Sequence, residues 1–92
     1  RKNDGYIIDS LGWAHYAKKN YDKAKYFLQQ AVELLPSDPI INDHYGDALW
    51  MLNQNIQARY VWNYVLKLDE AEEDLKKNVK KKLIFGLIEN YN

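Results

Sequence analysis

Few side chains in this sequence are of a kind that does chemistry, and their spacing decides which chemistry is open to them. Of 92 residues two are histidine, His15 and His44, and none is cysteine. The second fact removes thiolate metal sites, cysteine nucleophiles and disulfides. A zinc site needs three or four ligands. His44 has only Asp43 and Asp47 close by in sequence, and its i, i+3 spacing to Asp47 reads as an ion pair on one helix face. His15 falls on an apolar face and reads as a packed ring. Gly-rich phosphate loops, Ser-x-x-Lys and His-Glu-x-x-His are all missing from the sequence. The reading is a non-enzyme with no metal and no cofactor.

Composition agrees. The net charge is zero, with 47% hydrophobic and 28% charged residues, which is the make-up of one globular domain. No run approaches the roughly 20 apolar residues that span a bilayer, and no leader pattern opens the chain. Arg1 in place of Met suggests a piece of a longer chain. No feature selects a compartment, so cytoplasm and periplasm both stay open.

The carboxylates lead to the architecture. Asp9 and Asp43 stand 34 positions apart, and the same shift aligns residues 5–38 with 39–72. Ile7 then matches Ile41, Gly12 matches Gly46, Ala14 matches Ala48, Ala24 matches Ala58, Tyr26 matches Tyr60 and Leu34 matches Leu68. Within each unit the apolar period is helical and changes face at a short polar break, Lys19-Asn20-Tyr21-Asp22 and then Asn53-Gln54-Asn55. Asn is the residue expected to take a left-handed position in the second break. Between the units, Pro36 ends a helix, Asp38 is placed to cap the next and Pro39 to stand at its first turn. A fifth helix is read over 70–88, started by Asp69 with Glu72 as a capping box and packed through Ala71, Leu75, Val79, Leu83 and Leu87. The small residues predict close helix approach, Gly12 against Ala24 and Ala31 against the region of Tyr45 and Gly46.

This pattern resembles the tetratricopeptide repeat. Unit one meets it with Ile8, Leu11-Gly12, His15, Ala24, Leu28, Ala31 and Pro36; unit two, more loosely, with Asn42, Tyr45-Gly46, Leu49, Ala58, Trp62, Val65 and Glu70. The run from Ile41 to Trp50 also looks like the last repeats of large bacterial multi-repeat proteins. The resemblance implies an all-α, right-handed α-solenoid of two helical hairpins (5–38 and 39–72) plus a C-terminal capping helix. It also implies that the first helix of each hairpin lines the concave side.

On that side the sequence places Tyr6, Asp9, Trp13, Tyr16, Asp43, Asp47, Trp50, Met51, Lys77 and Lys81, the candidate partner-binding set, with Ile84 and Phe85 beyond them. The repeat interval pairs Asp43 with Lys77 and Asp47 with Lys81, either as a ladder between helices or as part of a patch facing a basic peptide. The aromatics admit two readings also: they thicken the wall, or they receive an apolar segment at low entropy cost. An acidic peptide tail is disfavoured by the aspartates. Lys76 to Lys82 follows a run of acids on one helix, which suits a solvated cap better than nucleic acid or lipid. The function expected is a non-enzymatic scaffold binding a peptide segment of a partner protein, without nucleic acid or membrane insertion. The alternative is a structural end-piece that stacks or self-associates through Ile7, Ile8 and Leu11. The Tyr91-Asn92 tail is expected to be a loose end.

Overall fold

The computed structural model describes residues 2–88. The described residues form five helices: α1 (Lys2–Ala17), α2 (Tyr21–Leu34), α3 (Pro39–Met51), α4 (Asn55–Leu66) and α5 (Glu73–Phe85). Each packs against the next in the chain. The tail at Tyr91-Asn92 lies outside the described residues.

The two hairpins turn by the same device. After α1, Asn20 N–H donates to His15 C=O and Lys19 N–H to Tyr16 C=O; after α3, Gln54 does so to Leu49 and Asn53 to Trp50. This is the Schellman arrangement, which satisfies the last carbonyls of a helix and needs one left-handed residue. Asn53 takes it at φ 63°, as its residue type suggests, and Lys19 takes it at φ 65°.

The link between hairpins is held by side chains. Asp38 accepts from Ile41 N–H at 3.0 Å, with Pro39 in the first turn of α3. Buried Asn42 donates from Nδ2 to the carbonyls of Pro36 (3.0 Å) and Asp38 (2.8 Å). Its position in the repeat is that of apolar Ile8, so a polar departure there serves as a latch on the turn. The last helix begins later than the sequence suggests. Its N-cap is Glu72, without a side-chain capping bond, and Asp69 stands in the turn before it. The turn from Lys67 to Ala71 is closed by its own backbone bonds, Leu68 to Val65 and Ala71 to Leu68 among them, which leaves no free helix start for Asp69 to cap.

Two clusters form the core. Ala24, Leu28 and Ala48 meet where α2 faces α3, bordered by Trp13, Tyr16 and Tyr45. Leu49, Ala58, Trp62, Val65, Ala71 and Val79 fill the space among α3, α4 and α5, with Leu75, Leu83 and Leu87 packed on them. The apolar stripe read for the fifth helix therefore faces inward. Gly12 lies against Leu28 instead of Ala24, one turn further along α2.

Candidate functional site

The first helices of successive units touch through side chains separated by 35 positions, one more than the repeat. Asp9 of α1 accepts from His44 Nδ1 of α3 at 2.9 Å, and Asp47 of α3 accepts from Lys82 Nζ of α5 at 3.0 Å. In both contacts the partner across the wall stands one position beyond the repeat equivalent.

Three expectations are corrected, two of them by that offset, while the Asp43 contact with Lys82 spans 39 positions. Lys82, not Lys77 or Lys81, is the cation; it donates to both oxygens of Asp43 (2.9 and 3.1 Å) and of Asp47 (3.0 and 3.1 Å). Lys77 and Lys81 are exposed. His44 is bound to Asp9 and not to Asp47, whose Oδ1 instead accepts from Trp62 Nε1 at 3.1 Å. Two carboxylates and one ammonium are thus buried together, with the indole as a further donor.

Burial raises the pKa of Asp47 to about 6; the Asp43 charge pushes the same way, while Lys82 and the Trp62 bond oppose it. Burial alone would lower the Lys82 pKa, but the two aspartate charges outweigh it and leave it above its ordinary value. The folded protein accordingly takes up a proton at Asp47 at a pH where the unfolded chain does not. Stability from this group is greatest in acid and is lost as pH rises through about 6. The Asp47→Asn protein copies the protonated state and keeps an acceptor for Trp62. Its thermal midpoint should lie above the parent's at about pH 7.5, by a few degrees, and meet it only near about pH 4, where the unfolded carboxyl is protonated too. A parent midpoint that rises with pH across this window, relative to Asp47→Asn, contradicts the assignment.

The aromatics are stacked. Trp13 lies between Tyr16 (centroids 4.3 Å, planes 10° apart) and His44 (3.8 Å, 12°), and Tyr16 meets Tyr21 edge-on at 5.3 Å. The Asp9 bond fixes the imidazole, so one hydrogen bond orients the end of the stack. Trp13 and Tyr16 are half-buried and Tyr6 is exposed. Trp50 serves packing, the wall-thickening alternative of the two left open for the concave-side aromatics. It stacks on buried Trp62 at 5.5 Å, carries the Arg59 guanidinium 5.3 Å above its ring and touches Gly86, whose φ of 70° lets the chain turn beside it. Arg59 also donates to the carbonyl of Leu83, tying α4 to α5. Met51 is half-buried at the end of α3.

The set named from sequence therefore divides. Asp43 and Asp47 are enclosed and share Lys82 between them, so they form no exposed acidic patch; Tyr6, Trp13, Tyr16 and Met51 keep surface. Lys82 and Arg59 were missed because each acts across a helix contact that local spacing does not encode, and Asn42 because its two partners are backbone carbonyls of the preceding turn, which no side-chain pattern marks. His15 is half-buried against Phe27 with centroids 5.5 Å apart. Among the described residues no group of three His, Asp or Glu could hold a metal ion, and no helix is long and apolar enough to cross a membrane.

Residues 6–38 match the family model described as Tetratricopeptide repeat. No curated protein and no solved structure gives a significant match.

Proposed function

The chain carries a tetratricopeptide repeat, a protein–protein interaction module, and from that premise we propose that it is a non-enzymatic scaffold receiving an apolar peptide segment of a partner around Trp13. The observation that carries this reading is the Tyr16–Trp13–His44 stack. Half-buried rings already fixed by their neighbours lose little freedom on docking, and Trp and Tyr dominate the residues on which binding energy concentrates. Tyr6 on the same helix and Met51 at the end of α3 extend the surface; the second supplies an unbranched side chain that adapts to its contact. Asp9 acts by holding His44 against the indole.

Selection from a displayed random-peptide library, then affinity measurement on the enriched peptides, tests it. Trp13→Ala should weaken them by about tenfold or more, while Trp13→Phe keeps most of the affinity and both variants keep their helical circular dichroism. Peptides that bind Trp13→Ala as tightly as the parent place the partner elsewhere.

A second reading has its own observation. Ile41, in the second unit, is 1% exposed, whereas its equivalent Ile7 is 66% exposed, and Leu11 on the same helix as Ile7 is exposed too. α1 thus leaves open an apolar position that is buried one unit later. A further helical hairpin or a second copy of the chain would bury it. Sedimentation at rising concentration separates the readings: self-association abolished by Ile7→Glu with Leu11→Glu supports the end-piece, and a strict monomer removes the second copy.

A further inference from the structure

Two open hollows share a wall at the edge where α3 and α5 begin. The larger, about 430 Å³, has Pro39, Ile40 and Leu75 as its apolar lining. Asp38, Glu70, Glu72 and Asp74 border it as well. The second, about 300 Å³, continues from Asp38 and Glu70 to Tyr6 and Leu34 of the first hairpin, with Lys2 as the basic residue of its lining. Ile40, Tyr6 and Leu34 are each at least 40% exposed. The result is a groove with an apolar floor and an acidic rim.

Helix electrostatics explain part of the rim. Asp74 stands in the first turn of α5 and Asp38 caps α3, and both suit a positive helix end. Glu70 is different: it lies in the turn before α5, three residues short of the helix, and borders both hollows. Glu72 holds the N-cap position but makes no capping bond. Among the described residues none of Glu70, Glu72 and Asp74 has an ion-pair partner. Their charges lie beside exposed apolar surface, and Lys2, the basic residue of the second hollow, forms no ion pair with any of them.

We propose that this groove docks a basic, apolar segment of a partner protein, its apolar side chains on Ile40 and Leu75 and its Lys or Arg side chains on Glu70, Glu72 and Asp74. Charge complementarity selects the occupant: an acidic segment would be repelled by four carboxylates, and an uncharged one would leave them unpaired beside apolar surface. The groove does not include Trp13, although Tyr6 borders both surfaces. The variants at Trp13 and at the acidic rim therefore separate the two proposals.

The test uses the ¹⁵N-labelled chain and short capped peptides that alternate leucine with arginine, leucine with glutamate, and serine with arginine. The leucine–arginine peptide should bind, shift the amide resonances of Ile40, Leu75 and Asn78, and weaken as salt rises. Glu70→Gln, Glu72→Gln and Asp74→Asn together should reduce its affinity about tenfold, since each rim pair contributes little alone. Asp38 is left in place because it caps α3. Trp13→Ala should leave this binding unchanged. Failure of the leucine–arginine peptide to bind, equal binding of either control, an unaltered affinity in the triple variant, or shifts centred away from Ile40 and Leu75 overturns the proposal.

Discussion

Replacing Lys82 by Met should cost about 3–5 kcal/mol of folding stability, the largest loss expected from any single charged residue in the chain. Met keeps much of the aliphatic stem that passes Trp62, so the substitution isolates the ammonium. What remains is two buried carboxylates whose oxygens had been answered by one cation at 2.9–3.1 Å. Both are largely buried, and like charges so close cannot both stay ionised at ordinary cost. The loss should shrink in acid, where the aspartates take up protons. It should also shrink when Asp43→Asn and Asp47→Asn are added to Lys82→Met, because uncharged amides carry no ion desolvation penalty. Chemical denaturation of the three proteins at neutral and acid pH reads both effects. A Lys82→Met protein within about 0.5 kcal/mol of the parent would show the cluster behaving as an exposed pair, whose usual worth is of that size.

That cluster also marks how far the amino-acid sequence can be read. Local rules were legible wherever one residue type answers one backbone need: Asp38 and Pro39 at a helix start, Asn53 in a left-handed turn, Gly12 and Gly46 where helices approach. The repeat interval placed Asp43 and Asp47 on one helix and lysines on another. It did not choose the lysine, because a neighbouring helix is met one position past the repeat equivalent and one position rotates a side chain by about 100°. Asp47 therefore missed Lys81 and found Lys82. The same rotation put His44 on Asp9.

Polar departures were harder still. Asn42 breaks the apolar pattern, and only the loop that returns past it supplies the two carbonyls that make it useful. Trp50 reads as an open ring until Trp62, Arg59 and Gly86 arrive from residues later in the chain. The acidic rim around Ile40 was visible only as helix-start charge, since Asp38 and Glu70 come together through packing of the two units. Function shares this limit. A repeat match identifies the class of module, while the surface it offers depends on which side chains the neighbouring helices consume.

Gly46 is where helix approach is least forgiving. A Cβ built there would stand 2.5 Å from Trp62 Nε1 and 2.6 Å from its Cδ1, both far inside van der Waals contact. The indole has nowhere to go: it is fully buried, stacked on Trp50 and bonded to Asp47. Gly46→Ala should therefore destabilise by about 2–3 kcal/mol through overpacking, despite the roughly 1 kcal/mol that alanine returns in helix propensity. Gly12→Ala supplies the control. Its Cβ would meet the end of a leucine, Leu28 Cγ at 2.8 Å and Cδ2 at 3.0 Å, with the Leu28 backbone nitrogen at 3.2 Å. A leucine changes rotamer more cheaply than a hydrogen-bonded indole moves, so this variant should lose about 1 kcal/mol or less. Tryptophan fluorescence during urea unfolding measures both. The order matters more than either value: Gly12→Ala the less stable of the two would mean that the first hairpin, not the one around Trp62, sets the tightest helix contact.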